Sequence, residues 1–171
     1  VVHSLDSFAV DEFEKSLRRL FEVEKVDSSL DASRAASLLR EHGRDGTALL
    51  AVTAGLALLL HSPKANGGQF FAGLSPRQRA LDVVQLHKGV LEGVLKLSEE
   101  SIRNQQNLSY LRDASEALEQ VHGGAANIAF LMNPCPVSQV RDVAFAGEVM
   151  PQKSTDFYPK LLSGLTAYAL E

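Results

Sequence analysis

The chain reads as a single domain of α/β (or α+β) class, a mixed β-sheet with helices packed on it, and three observations predict this. Two apolar runs, Thr47 to Thr53 and Leu56 to His61, lie either side of Ala54-Gly55 in the pattern of a β-hairpin. Asp11 to Glu22 and Val83 to Leu95 instead repeat their apolar residues at helical spacing. Over the second half, strand patterns alternate with helix patterns, which predicts a mixed or partly parallel sheet.

The elements follow in order. Val1-Val2 opens on strand-forming residues with no polar leader, as a strand cut from something longer would, so the chain is expected to be a fragment with an unpaired edge or an exposed apolar patch there. Asp11 to Glu22 sets Phe13, Leu17, Leu20 and Phe21 on one helical face. Val23 to Val26 forms a short strand whose facing is ambiguous, since two charges separate its valines. Asp31 is a good N-cap for a helix through Leu39 that stops at Gly43, with Ala35, Leu38 and Leu39 inward.

Beyond the hairpin, Lys64 to Gly73 is glycine-rich and reads as a loop. Ser75-Pro76 starts a helix, and Asp82 is expected to cap a renewed one over Val83 to Leu95 with Leu86 and Val90 buried. Ser98 to Asn107 is polar and expected to be exposed, and Leu108 to Leu111 to be a short strand. A helix over Ala114 to His122 ends at Gly123-Gly124, a strand covers Ile128 to Met132, and a helix from Val137 to Phe145 follows the Asn133-Pro134-Cys135-Pro136 turn. Leu161 to Leu170 reads as a final buried strand.

Length and composition narrow the function classes. A chain of 171 residues can bury roughly 70% of its unfolded surface, enough for a core without metal or disulfide staples. A net charge of −4 and the absence of a basic run give no drive toward nucleic acid or an anionic membrane. One cysteine, Cys135, excludes an intrachain disulfide, so a reducing cytoplasm is the expected compartment. No stretch reaches the roughly 20 apolar residues a membrane span needs.

Chemistry concentrates between Phe145 and Tyr168. Pro151 and Pro159 bracket Gln152, Lys153, Ser154, Thr155 and Asp156, and two prolines so placed favour an ordered loop over a helix. Gly147 to Ser154 comes within one residue of the nucleotide-binding P-loop, but Gln152 stands where that loop needs glycine and Pro151 has no N–H to offer a phosphate. Lys153, Ser154, Thr155, Tyr158 and Lys160 remain as donors able to hold a phosphate or other small anion, with Glu148 as a candidate acid or base. The same residues also have a purely structural reading, with the hydroxyls satisfying a turn and the lysines solvated.

His87, on an apolar helix face, is a second acid or base candidate, though such a position more often holds a hydrogen-bonded core histidine. His3, His42, His61, His87 and His122 include no pair at the spacing of a local metal motif, so no metal site is expected. No cofactor-binding pattern stands out.

Four motifs taken together resemble a known family. They are Leu81-Asp82-Val83 with Leu86-His87; Ala129-Phe130-Leu131 with Asn133-Pro134; Gly147-Glu148-Val149-Met150-Pro151-Gln152-Lys153-Ser154-Thr155; and Phe157-Tyr158-Pro159-Lys160-Leu161. They resemble the C-terminal region of the uncharacterised bacterial and archaeal family called domain of unknown function 1015, across most of the chain and more loosely before Asp82. The resemblance implies a longer protein whose preceding part carries an Asp-Gly-His-His-Arg motif similar to those of ParB-like phosphate-handling proteins, some of them free-serine kinases. In this chain Asp45-Gly46 is followed by Thr47 instead. Two expectations follow: part of a small-molecule enzyme, with phosphoryl transfer as one candidate reaction and the missing N-terminal part as partner, or a non-enzymatic domain that completes a fold or self-associates as a homo-oligomer.

Overall fold

Strand β2 (Ala48–Val52), and β3 (Ala57–His61) up to its last residue, are apolar and buried because both faces of the sheet are covered. They form the expected hairpin, closed where the Thr53 N–H donates to the Leu56 carbonyl at 2.7 Å. β1 (Glu22–Val26) pairs with β3 and β4 (Ala129–Met132) with β2, giving the order β1-β3-β2-β4. The computed structural model describes residues 1–5, 8–44, 46–151 and 154–155.

The α/β domain with helices packed on a sheet is what the structure has, but the expected parallel pairing is absent among the described strands. All three pairings are antiparallel. The tight turn at Thr53 makes β2 and β3 antiparallel, and β4 returns beside β2 in the opposite sense, so alternation along the chain did not translate into parallel neighbours.

Residue parity sorts the strands between two cores. Val23, Leu49, Ala51, Leu58 and Leu60 pack against α1 (Val10–Leu20) and a long helix over residues 82–94. Ala48, Leu50, Val52, Ala57 and Leu59 pack on the other face against α2 (Ala32–His42) and α6 (Ala114–His122). Asp31 caps α2 as expected, accepting from the Arg34 N–H at 2.7 Å. The facing of β1 is settled as well, with Val23 buried and Val26 half-buried on the opposite side.

Several local expectations change. Residues 65–71 form a 3-10 helix rather than a loop, and its Phe71 is buried. Ser75 caps the short α3 (Pro76–Arg79) with a complete capping box to Gln78. The helix that follows starts one residue earlier than expected: Leu81 occupies the cap and Asp82 the first turn. After the three residues of α4 (Asp82–Val84) it continues as a π-helix, Gln85–Val94, closed by bonds such as Leu95 N–H to Val90 C=O at 2.8 Å. A Cβ at Gly93 would press on the Phe70 ring and one at Gly89 would touch the Phe71 ring, so this helix sits near the 3-10 segment. Leu86 and Val90 are buried as expected.

The polar stretch after Ser98 is not simply exposed: α5 (Glu99–Arg103) buries Ser101 and Ile102. Instead of a strand, Leu108 makes a single bridge to Val2, which also bridges Ile128. Val2 is therefore fully buried, its N–H donating to Ile128 C=O at 2.7 Å and its carbonyl accepting from Asn127 and Ile128. The unpaired edge expected there is absent because both sides of that backbone find partners. α7 (Val137–Phe145) follows the proline turn as expected, and the strand expected at Leu161 to Leu170 lies outside the described residues.

Candidate functional site

The π-helix carries His87, Lys88 and Glu92 on the side turned away from the sheet. All three are half-buried, while Leu86, Val90 and Leu91 point into the core. π-Helical turns are rare and frequently mark functional positions. Burial, and secondarily the charge of Lys88, lowers the pKa of His87, which favours the neutral imidazole. The Tyr110 hydroxyl lies 3.4 Å from His87 Nε2 with the rings 6.2 Å apart, and burial raises the tyrosine pKa. The Val2–Leu108 bridge and the Ser109 N–H bond to Val1 C=O hold the backbone before Tyr110 in place.

His87 and Tyr110 line two clefts. The smaller, about 350 Å³, also has Gln78, Lys88, Glu92 and Val149 in its wall. Lys88 Nζ is neutralised there, 2.9 Å from Glu92 and 3.5 Å from Glu99, and its bond to Glu92 chiefly raises its pKa. The larger cleft, about 880 Å³, brings Arg40, Arg112, Ser154 and Thr155 together with His87 and Tyr110. Arg40 comes from the last turn of α2 and Arg112 from the segment before α6. Arg40, one of whose guanidinium nitrogens donates to the Ser37 hydroxyl at 3.3 Å, and Arg112 bring positive charge to this wall, beside the carboxylate of Asp113.

The expected site residues divide. Ser154 and Thr155 reach the cleft of His87. The Ser154 hydroxyl also donates to Pro151 C=O at 2.6 Å, so it serves a turn as well. Glu148 lines neither cleft: Ser75 Oγ donates to its carboxylate at 2.7 Å and Arg77 stands 3.7 Å away, which fastens the start of the motif to α3. Lys153, Tyr158 and Lys160 lie outside the described residues.

Sequence reasoning missed Arg40, Arg112 and Tyr110, which stand far from the motif in the chain and carry no local signature. It also took Asp82 for a cap. Desolvation pushes the Asp82 pKa up to about 6, opposed by hydrogen bonds from Thr47 and the Ala48 N–H. An aspartate inside the apolar run Leu81 to Val84 was the available signal. Burial and the nearby Asp82 charge raise the Cys135 thiol pKa, the opposite of what a nucleophilic cysteine needs.

Fold and site together define an α/β domain with an antiparallel sheet covered on both faces and a largely apolar cleft beside a π-helix, with Arg40, Arg112, Asp113, Ser154 and Thr155 among its polar lining. Compared with models of protein families, with curated proteins and with solved structures, the chain finds no match.

Proposed function

We propose that the larger cleft binds a small anionic metabolite, a phosphate or carboxylate, and that the chain forms the C-terminal part of a small-molecule enzyme that acts on it. The observation that carries this reading is the meeting of Ser154 and Thr155 with Arg40, Arg112 and His87 in one cleft. Arg40 and Arg112 supply positive charge at the cleft wall, and a neutral His87 can accept a proton from a hydroxyl of the ligand. In this reading the remaining catalytic groups, those for phosphoryl transfer included, would come from outside this chain, as the resemblance in its motifs implies.

The test is a titration with inorganic phosphate followed by the amide shifts of residues 154 and 155. Wild type should show saturating shifts that weaken as salt is added, and Arg40→Ala should lower the affinity about tenfold, the worth of one charged hydrogen bond. Lys153→Ala should also lower it. Identical shifts in all three proteins, or none in any, would sink the proposal.

A second reading, self-association, draws on α7 and its exit, where Val137, Phe145 and Val149 are strongly exposed, Phe145 at 85%. Sedimentation of wild type and Phe145→Ser separates the two: self-association predicts a dimer that the substitution dissolves.

A further inference from the structure

Glu24 in the edge strand β1, His61 at the end of β3 and His42 at the end of α2 converge, although 18 to 37 residues separate them in the chain. One ligand atom from each lies within 4.8 Å of both others. The register explains half of this: Glu22 stands opposite His61, so Glu24, two residues on, projects from the same sheet face toward the histidine. The last turn of α2, packed on that face, supplies the rest.

The details favour a cation over a simple ion pair. His61 Nε2 is 2.9 Å from Glu24 Oε1, and its Nδ1 is 3.1 Å from the Ser62 hydroxyl. Occupying Nδ1 leaves Nε2 as the ligating atom, the arrangement that supporting partners impose on metal-bound histidines. Ser62 reaches that position with φ at 47°, a region non-glycine residues seldom adopt. The His42 ring has no hydrogen-bond partner among the described residues, and its neighbour is the His61 ring, 5.5 Å away between centroids. An ion pair accounts for Glu24 and His61 but leaves His42 without a role. Nearby basic side chains are engaged elsewhere, Lys25 with Glu14 at 2.8 Å and Lys64 with Glu22 at 3.1 Å, so Glu24 is left to the histidines.

We propose that Glu24, His42 and His61 form a binding site for zinc or a neighbouring late divalent transition ion, with water in the fourth position. Two imidazoles and a carboxylate are a recognised zinc donor set with one place open. Metal–ligand bonds of about 2.0–2.2 Å put tetrahedral donors roughly 3.4 Å apart, so the present spacing closes on the ion by rotation of the exposed Glu24 and the helix-terminal His42. The ion ties the edge strand to the end of α2. Histidine spacing along the chain gives no sign of this site, because it is built across three elements. It is separate from the anion cleft, which none of its three residues lines.

Calorimetric titration of zinc chloride into the full chain tests this, with cobalt absorption reporting tetrahedral geometry. Wild type should bind one zinc and melt at a higher temperature with it. Glu24→Gln and His42→Gln should each weaken binding about 100-fold, and Ser62→Ala about 10-fold, as loss of a supporting contact does. Cys135→Ser should bind as wild type, and magnesium, which prefers oxygen ligands, should not compete. Melting of the metal-free variants separates a lost site from a lost fold, and His61→Gln repeats the test if one variant fails to fold. No zinc binding by wild type, or wild-type affinity in folded His42→Gln, overturns the proposal.

Discussion

Asn133 Nδ2 donates to the Leu39 carbonyl at 2.7 Å, closing the C-terminus of α2 with a side chain 94 residues away. The same carbonyl accepts from the Gly43 N–H at 2.9 Å. Gly43 has an ordinary φ of −85°, so it is there for space and not for backbone freedom: a Cβ would overlap the Asn133 amide. The contact also holds one wall of the larger cleft, to which Leu39, Arg40 and Asn133 all contribute.

Gly43→Ala should therefore destabilise the fold by about 1–3 kcal/mol through overpacking, and Asn133→Ala by about 1 kcal/mol through the lost bond. Because both act on one contact, the double variant should cost less than the sum. Urea unfolding of the three proteins measures this, and strict additivity would show that the two residues act separately.

Asp82 makes stability depend on pH. With its folded pKa raised to about 6, the folded state holds more protons than the unfolded chain between roughly pH 4 and 6. Its contribution is complete below that window and is lost as pH rises through it. Asp82→Asn keeps an acceptor for Thr47 and Ala48 without the charge, so it should exceed wild type at pH 7 by about 1–2 kcal/mol, allowing for partial solvation. The gap should vanish near pH 4, as denaturant melts at both values would report.

His87 should titrate below the ordinary histidine range when its ring protons are followed by NMR, since burial is the main cause of the lowered pKa. The stability it contributes as a neutral ring is present above the unfolded pKa and lost as pH falls through the folded one. Tyr110→Phe should leave the midpoint depressed. Lys88→Met should raise it, because it removes the neighbouring cation and releases Glu92 and Glu99.

Ser75 both caps α3 and donates to Glu148. Ser75→Ala should cost about 1–2 kcal/mol and speed amide exchange at Glu148 and Val149. Faster exchange confined to α3 would mean that Glu148 is held by something else.

Leu86 is buried between the π-helix and the sheet. Leu86→Ala should cost about 2–5 kcal/mol in thermal or urea melts as a large-to-small core change, and an unchanged melting temperature would contradict the packing of this helix.

What the sequence determined by itself was local. Asp31, Ser75 and the Gly123-Gly124 stop act on groups within about four residues, so the helix ends they control were legible. The hairpin was legible because apolar runs and a short turn are neighbours in the chain. The tertiary structure decided the rest. Strand sense depended on the direction in which β4 arrives beside β2, and the close seating of the π-helix on the 3-10 segment depended on Gly89 and Gly93 leaving room for Phe71 and Phe70. The company that Thr155 keeps with Arg40 and His87, and Glu24 with His42 and His61, depended on how helices seat on two sheet faces. Such meetings leave no trace in local spacing, because side chains brought together by packing need obey no period along the chain.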